Sequence, residues 1–243
     1  MTTKKSLKSK AKRTSSLVKL IEKKKRSKIS KLSKKSRSFI KSLSKCKKDS
    51  NSKLKKINFN IVLDLDNTII SSFTKEEYDE LKIDHKNKFK PILNGMYYTM
   101  ERPYLNEFLN YLFSHFHVSV WTAASKIYAK QIIEKFILRG KKNRKLRSFL
   151  HYDHCKESMD NINPKTMKDL KYLFLVKDKI FNKNNTVIID DLKEVLNNNK
   201  KNSIDSEYFD GSKKNAPNDT FLLQLMKDLD TFYQTLCSDK KYY

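Results

Sequence analysis

The sequence predicts an α/β fold with a central, mainly parallel sheet flanked by helices, and three observations predict it. Apolar runs that end in polar residues recur at 58–65, 117–122 and 185–190. Helical periodicity fills the spaces between them. Residues 1–56 differ so sharply in composition that the folded body is expected to start only at Ile57. Strands that alternate with helices assemble into parallel sheets covered on both faces, with ligands beyond the carboxyl ends of the strands.

The elements follow in order. The first strand, 58–65, is carried by Ile61, Val62 and Leu63. A polar segment comes next, about 71–95, in which Phe73, Tyr78 and Phe89 lie among charges, and Met96 to Met100 has the look of a short strand. Pro103 suits the first turn of a helix, where its missing N–H costs nothing. Leu105, Phe108, Leu109 and Leu112 then recur at helical spacing. The second strand, 117–122, precedes a helix over 126–138 that carries Tyr128, Ile132, Ile133 and Phe136. The third strand covers 185–190. A last helix over 219–236 shows Leu222, Leu225, Leu229, Phe232 and Leu236 three and four apart, a stripe that reads as core packing.

Charge is distributed unevenly. Of 53 basic and 27 acidic residues, 23 and 2 lie in residues 1–56, so this tail carries +21 of the net +26 and the body carries +5. Like charges at that density, with little apolar surface, predict a disordered tail. Three uses for it stay open: a nuclear import signal or polyanion contact around Lys23-Lys24-Lys25-Arg26-Ser27-Lys28, a solubilising tail, or an organelle transit peptide, for which arginine rather than lysine is expected. Cys46, Cys155 and Cys237 are an odd, scattered set, which points to reduced thiols. No apolar run is long enough to span a bilayer, and no signal-peptide core follows Met1. The expected location is intracellular, nuclear or cytoplasmic, not secreted.

The chemistry is concentrated at strand ends. IVLDLDNTII, residues 61–70, closes its apolar run with Asp64-Leu65-Asp66-Asn67-Thr68. Alternation puts Asp64 and Asp66 on one side. Crowded carboxylates repel unless a cation joins them, and a hard divalent ion takes oxygen ligands. Read alone, the pair is also compatible with an Asp-rich turn. VSVWTAAS, residues 118–125, is a second strand that ends in Thr122, and TVIIDD, residues 186–191, is a third that ends in Asp190 and Asp191. Met167-Lys168-Asp169-Leu170 lies between them.

Acidic pair, threonine, lysine, acidic pair: that order resembles the four motifs of the haloacid dehalogenase superfamily. Together with Glu101-Arg102-Pro103-Tyr104-Leu105-Asn106-Glu107-Phe108-Leu109 and Tyr128-Ala129, it is similar to the RNA polymerase II C-terminal-domain phosphatases over about 57–237. The resemblance implies a Rossmann-like haloacid dehalogenase fold over 57–243. It implies an Mg2+-dependent phosphoserine/phosphothreonine phosphatase acting through an aspartyl-phosphate, with a phosphoprotein substrate such as a polymerase tail. It makes Asp64 the nucleophile and Asp66 the acid and base, with the main-chain carbonyl of Asp66 offered to Mg2+. Thr122 and Ala123 would bind phosphate together with Lys168. Asp64 and Asp191 would be metal ligands together with the Asp66 carbonyl, with Asp190 behind Asp191, an order of the last two that is open to exchange. Thr68 would support the first loop, and Arg102 would lie near the substrate channel. Lys165 and Lys171 compete with Lys168 on position alone.

Other features are ambiguous. Trp121 suits either the underside of the site loop or the core. His151-Tyr152-Asp153-His154-Cys155 holds zinc-ligand types at too close a spacing for a paired site. Arg139 to Arg147 holds six basic residues in nine, which suits either a gathering patch for phosphopeptide or nucleic acid, or a solvated loop. Two further functions compete with the phosphatase reading: a weak or inactive phosphatase-like protein that binds nucleic acid through its tail, and a phosphatase of nucleic-acid ends or small molecules.

Overall fold

The computed structural model describes residues 56–177 and 180–238. The expectations placed on the tail, and on Cys46, lie outside the described residues. Five strands form the main sheet: β1 (Asn60–Leu63), β5 (His117–Trp121), β6 (Phe149–Leu150), β7 (Thr186–Asp190) and β8 (Ser203–Asp205), in spatial order β6-β5-β1-β7-β8. All neighbours are parallel. The chain lays strands to one side of β1 and then crosses to the other. β1 is therefore the switch point, where a crevice opens at the carboxyl ends. All four residues of β1 are buried, as a strand covered on both faces requires.

The helices are α1 (Lys75–Glu80), α2 (Leu105–His115), α3 (Lys126–Ile132), α4 (Tyr152–Asn161), α5 (Leu170–Val176), α6 (Lys193–Asn198) and α7 (Phe221–Ser238). One core joins Val62, Trp121, Leu150 and Ile188 of the sheet to Cys155 of α4, Leu170 and Leu173 of α5 and Val195 of α6. Trp121 is fully buried there against Tyr172, so it belongs to the core. On the stretch from α2 to α7, Tyr111, His115, Phe116 and Tyr233 stack edge to face.

The segment expected to be polar is structured. β2 (Ile70–Thr74), β4 (Tyr97–Glu101) and β3 (Lys90–Ile92) make a separate antiparallel sheet in the order β2-β4-β3. Phe89, Met100 and Phe209 form its small core, with Phe73 and Tyr78 packed on it. Gly211 passes so close that a Cβ there would sit 3.1 Å from both Phe89 and Ser71.

Boundaries shift in understandable ways. β1 ends at Leu63, so Asp64 and Leu65 belong to the loop. Pro103 precedes α2 rather than starting it, because Tyr104 caps the helix in a left-handed conformation, φ 68°. The helix expected over 126–138 is regular to Ile132, and its last turns, Ile133–Leu138, are wound as a π-helix.

Candidate active site

The loop after β1 is closed on itself. The Asp64 N–H donates to the Ile189 carbonyl at 3.0 Å, which carries the β1–β7 ladder one residue past the strand. Asn67 then takes a left-handed conformation, φ 57°, which Asn tolerates better than most residues. The Asn67 N–H reaches Ile70 O at 2.7 Å, and the Ile69 N–H reaches Leu65 O at 2.9 Å. These bonds hold Asp64, Asp66 and Thr68 within one tight turn.

Lys168 lies beneath this turn. It is 1% exposed, and its Nζ donates to Asp64 Oδ1 at 2.5 Å and to Asp190 Oδ2 at 2.8 Å. Its backbone is fixed by Asn199, whose Nδ2 donates to Lys168 O at 2.8 Å while its Oδ1 accepts from the Leu170 N–H at 3.0 Å. Asp169 caps α5 by accepting from the Lys171 N–H. Lys165 and Lys171 are exposed, so burial singles out Lys168 among the three. Burial alone would push the ammonium pKa down, but the Asp64 and Asp190 carboxylates overrule it and keep Lys168 protonated.

Three carboxylates converge here. Oxygens of Asp64, Asp190 and Asp191 all lie within 4.8 Å of one another. Asp190 is fully buried and committed, with Oδ2 on Lys168 and Oδ1 accepting from the Leu192 N–H at 2.9 Å. Asp191 is half-buried and accepts from Thr68 Oγ1 at 3.2 Å. Burial pushes the Asp64 carboxyl up, Lys168 opposes it, and Asp190 adds to it. Burial also raises Asp191, with Asp190 pushing the same way. A single lysine does not balance three carboxylates, so the donor set fits a hard divalent cation in both ligand type and charge.

Asp66 lies on the same turn, and its Oδ1 accepts from the Tyr128 hydroxyl. Burial raises its pKa, while Tyr128, Lys168 and Ser72 hold it down. Thr122, 1% exposed, directly follows β5 beside β1, and its Oγ1 accepts from the Ala124 N–H at 3.1 Å. Ala123 follows it, partly buried against the core.

Other residues stand apart from this cluster. Arg102, expected at a substrate channel, is 1% exposed and serves as a clamp. Its Nη1 donates to Thr68 O, Ser206 O and Glu207 O at 3.0, 2.6 and 2.9 Å. Nε and Nη2 grip both Asp219 oxygens at 3.1 Å. Its guanidinium is stacked near the Phe209 and Phe221 rings. His151 and His154 meet edge to face at 4.4 Å, and Cys155 Sγ points at Thr122 O, so the segment 151–155 assembles no ligand cluster among the described residues.

Sequence reading gave no role to Ser206, Asn199 or Tyr128. Ser206 is fully buried, and its Oγ lies 3.0 Å from Thr68 Oγ1. Of the three, only Tyr128 was signalled beforehand, by its place on the helix after Thr122 and by the Tyr128-Ala129 pair in the family resemblance.

Known proteins share this arrangement of sequence. The family model described as NLI interacting factor-like phosphatase matches residues 59–239. The CTD phosphatase-like protein 355R of Invertebrate iridescent virus 3 is 39% identical over 186 residues, 71% of this chain and 95% of that protein. The protein of the same description in Invertebrate iridescent virus 6 is 39% identical over 176 residues, 68% and 94% of the two chains. Among solved structures, fission yeast RNA polymerase II CTD phosphatase Fcp1 bound to beryllium fluoride matches with a TM-score of 0.47 and 20% identity, over 79% of this chain and 54% of that one. Another Fcp1 structure matches with a TM-score of 0.46 and 19% identity, over 82% and 58%. This chain thus spans little more than half the length of the Fcp1 chains. A family model that covers most of the body, and two viral relatives matched along nearly their whole length, show that the chain belongs to the NLI interacting factor-like phosphatase family.

Proposed function

We propose that residues 57–243 form an Mg2+-dependent phosphatase of phosphoserine or phosphothreonine in proteins, with residues 1–56 as a separate basic tail. One observation carries this reading: a buried lysine bridges Asp64 and Asp190 at 2.5 and 2.8 Å, with Asp191 beside them. That juxtaposition supports reading Asp64 as the nucleophile, Lys168 as a fixed positive charge and Asp191 as a metal ligand at one switch point.

The carboxylate of Asp64 attacks phosphorus, and the bond from phosphorus to the seryl or threonyl oxygen breaks. The leaving oxygen takes its proton from Asp66, and the phosphoryl group stays on Asp64 as an aspartyl-phosphate. Asp66, now ionised, takes a proton from water, whose oxygen attacks phosphorus. Inorganic phosphate leaves and the Asp64 carboxylate is restored. Lys168, the Thr122 hydroxyl and the Ala123 N–H hold the phosphoryl oxygens. The desolvation of Lys168 is already offset by its two carboxylates, so its charge needs no rearrangement during reaction. Mg2+ held by Asp64, Asp191 and the Asp66 carbonyl, with Asp190 behind, would supply further positive charge toward the phosphoryl group.

The description of the viral relatives as CTD phosphatase-like supports a phosphoprotein substrate, and a polymerase C-terminal tail is the natural first choice. No helix among the described residues is long and apolar enough to cross a membrane. The buried free thiol of Cys155 suits a reducing nuclear or cytoplasmic setting.

The test compares phosphopeptides, phosphorylated nucleic-acid ends and sugar phosphates side by side, with and without Mg2+. Phosphopeptide turnover that needs Mg2+ and vanishes in Asp64→Asn is expected. Undiminished turnover in Asp64→Asn rejects the nucleophile, and preference for nucleic-acid ends moves the function to that substrate class.

A further inference from the structure

The reaction asks Asp66 to hand over a proton and then to take one back, from one orientation. Asp66 sits on a turn outside the strand, and a residue of α3 reaches its carboxyl. The Tyr128 hydroxyl donates to Asp66 Oδ1 and lies 2.6 Å from Ser72 Oγ. Ser72 Oγ lies 2.8 Å from Thr99 Oγ1. Ser72 and Thr99 are register partners on β2 and β4. Tyr128 is 8% exposed, Thr99 is fully buried and Ser72 between them is half-buried, so water competes little at the two ends of the chain.

The direction of the chain follows from proton count. A phenol has one proton, and Asp66 Oδ1 accepts whether the carboxyl is ionised or carries its proton on Oδ2. The Tyr128 proton therefore goes to Asp66, Ser72 donates into the Tyr128 oxygen, and Thr99 is placed to donate into Ser72. The tyrosine is itself held by its place in the first turn of α3, where its N–H bonds the cap Ser125, and by edge-on packing of Tyr97. The antiparallel sheet thus reaches the reaction centre through hydroxyls alone.

We propose that Tyr128, oriented by Ser72, is a positioning residue for Asp66. It occupies Oδ1, so Oδ2 is the atom that delivers the proton to the leaving oxygen as the P–O bond breaks and later takes one from water. This inference rests on the phosphatase reading above and deepens it.

The consequence depends on the leaving group. A seryl oxygen leaves as a strong base and needs the proton in flight, whereas 4-nitrophenolate leaves without it. The parameter kcat/KM covers the steps up to phosphoryl transfer, where this difference is felt. Tyr128→Phe keeps the ring and deletes the donor. On the scale of general acid catalysis, it is expected to lower kcat/KM roughly 10- to 100-fold on a phosphoserine peptide. On 4-nitrophenyl phosphate the loss should stay within about threefold. Ser72→Ala should lower the same ratio between substrates in the same direction, by less. Asp66→Asn should show the pattern at its largest.

Equal losses on both substrates, or none, in Tyr128→Phe overturn the proposal, because a purely packing role has no leaving-group dependence. If Tyr128→Phe fails to fold, as judged by thermal melting, Ser72→Ala alone decides: an unchanged substrate ratio rejects the idea. Asp66→Asn with ordinary turnover on both substrates instead rejects the phosphatase reading itself.

Discussion

Lys168 and the 139–147 loop are the two conspicuous basic features of the folded body, and they use their charge in opposite ways. Lys168 is one amine, sealed off from water between two carboxylates. The loop holds six basic residues in nine, yet its arginines mostly face uncharged oxygens. Arg144 is 3% exposed and donates to Ile137 O, Asn106 O and the side-chain oxygens of Asn106 and Asn110, at 2.5 to 3.0 Å. Arg139 pairs with Glu101 and donates to Phe136 O. Arg147 reaches Asn60 Oδ1 at 2.8 Å. The loop employs guanidinium groups as bundles of donors that close a turn between α3 and β6. Lys168 employs its charge as a field. The nature of the partners, rather than the number of charges, separates scaffolding from chemistry.

The largest effect should come from Lys168→Met. It removes a charge fixed against the phosphoryl group, and turnover is expected to fall on the order of 10³-fold. It also strands buried carboxylates, at a cost of about 3–5 kcal/mol. Adding Asp64→Asn to Lys168→Met should return part of that stability in thermal melting. A single variant that keeps ordinary activity breaks the comparison at its root.

Arg144→Ala should act the other way, on the fold and not on the chemistry. The buried Ile137 O and the partly buried Asn106 O lose this donor, while Lys141 Nζ still reaches the Asn106 and Asn110 side-chain oxygens at 3.0 Å, so a loss of about 1–3 kcal/mol is expected in denaturant unfolding. Below the melting transition, kcat on 4-nitrophenyl phosphate should stay within about twofold. A specific collapse of kcat with stability intact would make the loop part of the site.

The loop also sets a pH response. Burial, followed by the charges of Arg147 and Lys56, pushes the His117 pKa down to about 4 from 6.5. The unfolded state therefore binds the proton more tightly. The contribution is complete above pH 6.5 and is lost as pH falls from there toward 4. His117→Gln should flatten the unfolding free energy over that window, and an unchanged slope would assign it to His115 or His151, both also held low by burial. The smallest effect belongs to Lys142 and Lys145, which are exposed. Replacing both with Gln should leave phosphopeptide kcat/KM unchanged. A loss above about fivefold, erased by salt, would restore the loop as a gathering patch.

Legibility from sequence followed the physics of each element. α2 and α7 are long and one-sided, so periodicity found both and placed α7 within two residues at each end. The apolar runs of β1, β5 and β7 end where the carboxylates and Thr122 begin, and the motif residues could be read from there. β8 is three residues, Ser203–Asp205, with one apolar side chain, and left no signal. β2 shows Ile70-Ser71-Ser72-Phe73-Thr74, where Ser71 fills a buried position because Gly211 comes so close to it. The short α5 and α6 owe their existence to packing on Trp121 and Val62 more than to local propensity. The clamp role of Arg102 was hidden for a similar reason: most of the partners that bury it lie more than 100 residues away, in 206–219, and no local pattern announces them.

That arginine has a wider consequence. One planar cation is shared by the turn after β1, the segment after β8 and the cap of α7. Lysine, with its point charge and three mobile protons, could not serve all these acceptors at once. The C-terminal helix is therefore wired to the same knot as the reactive turn, and trimming the chain back from its far end should loosen a centre that it never touches.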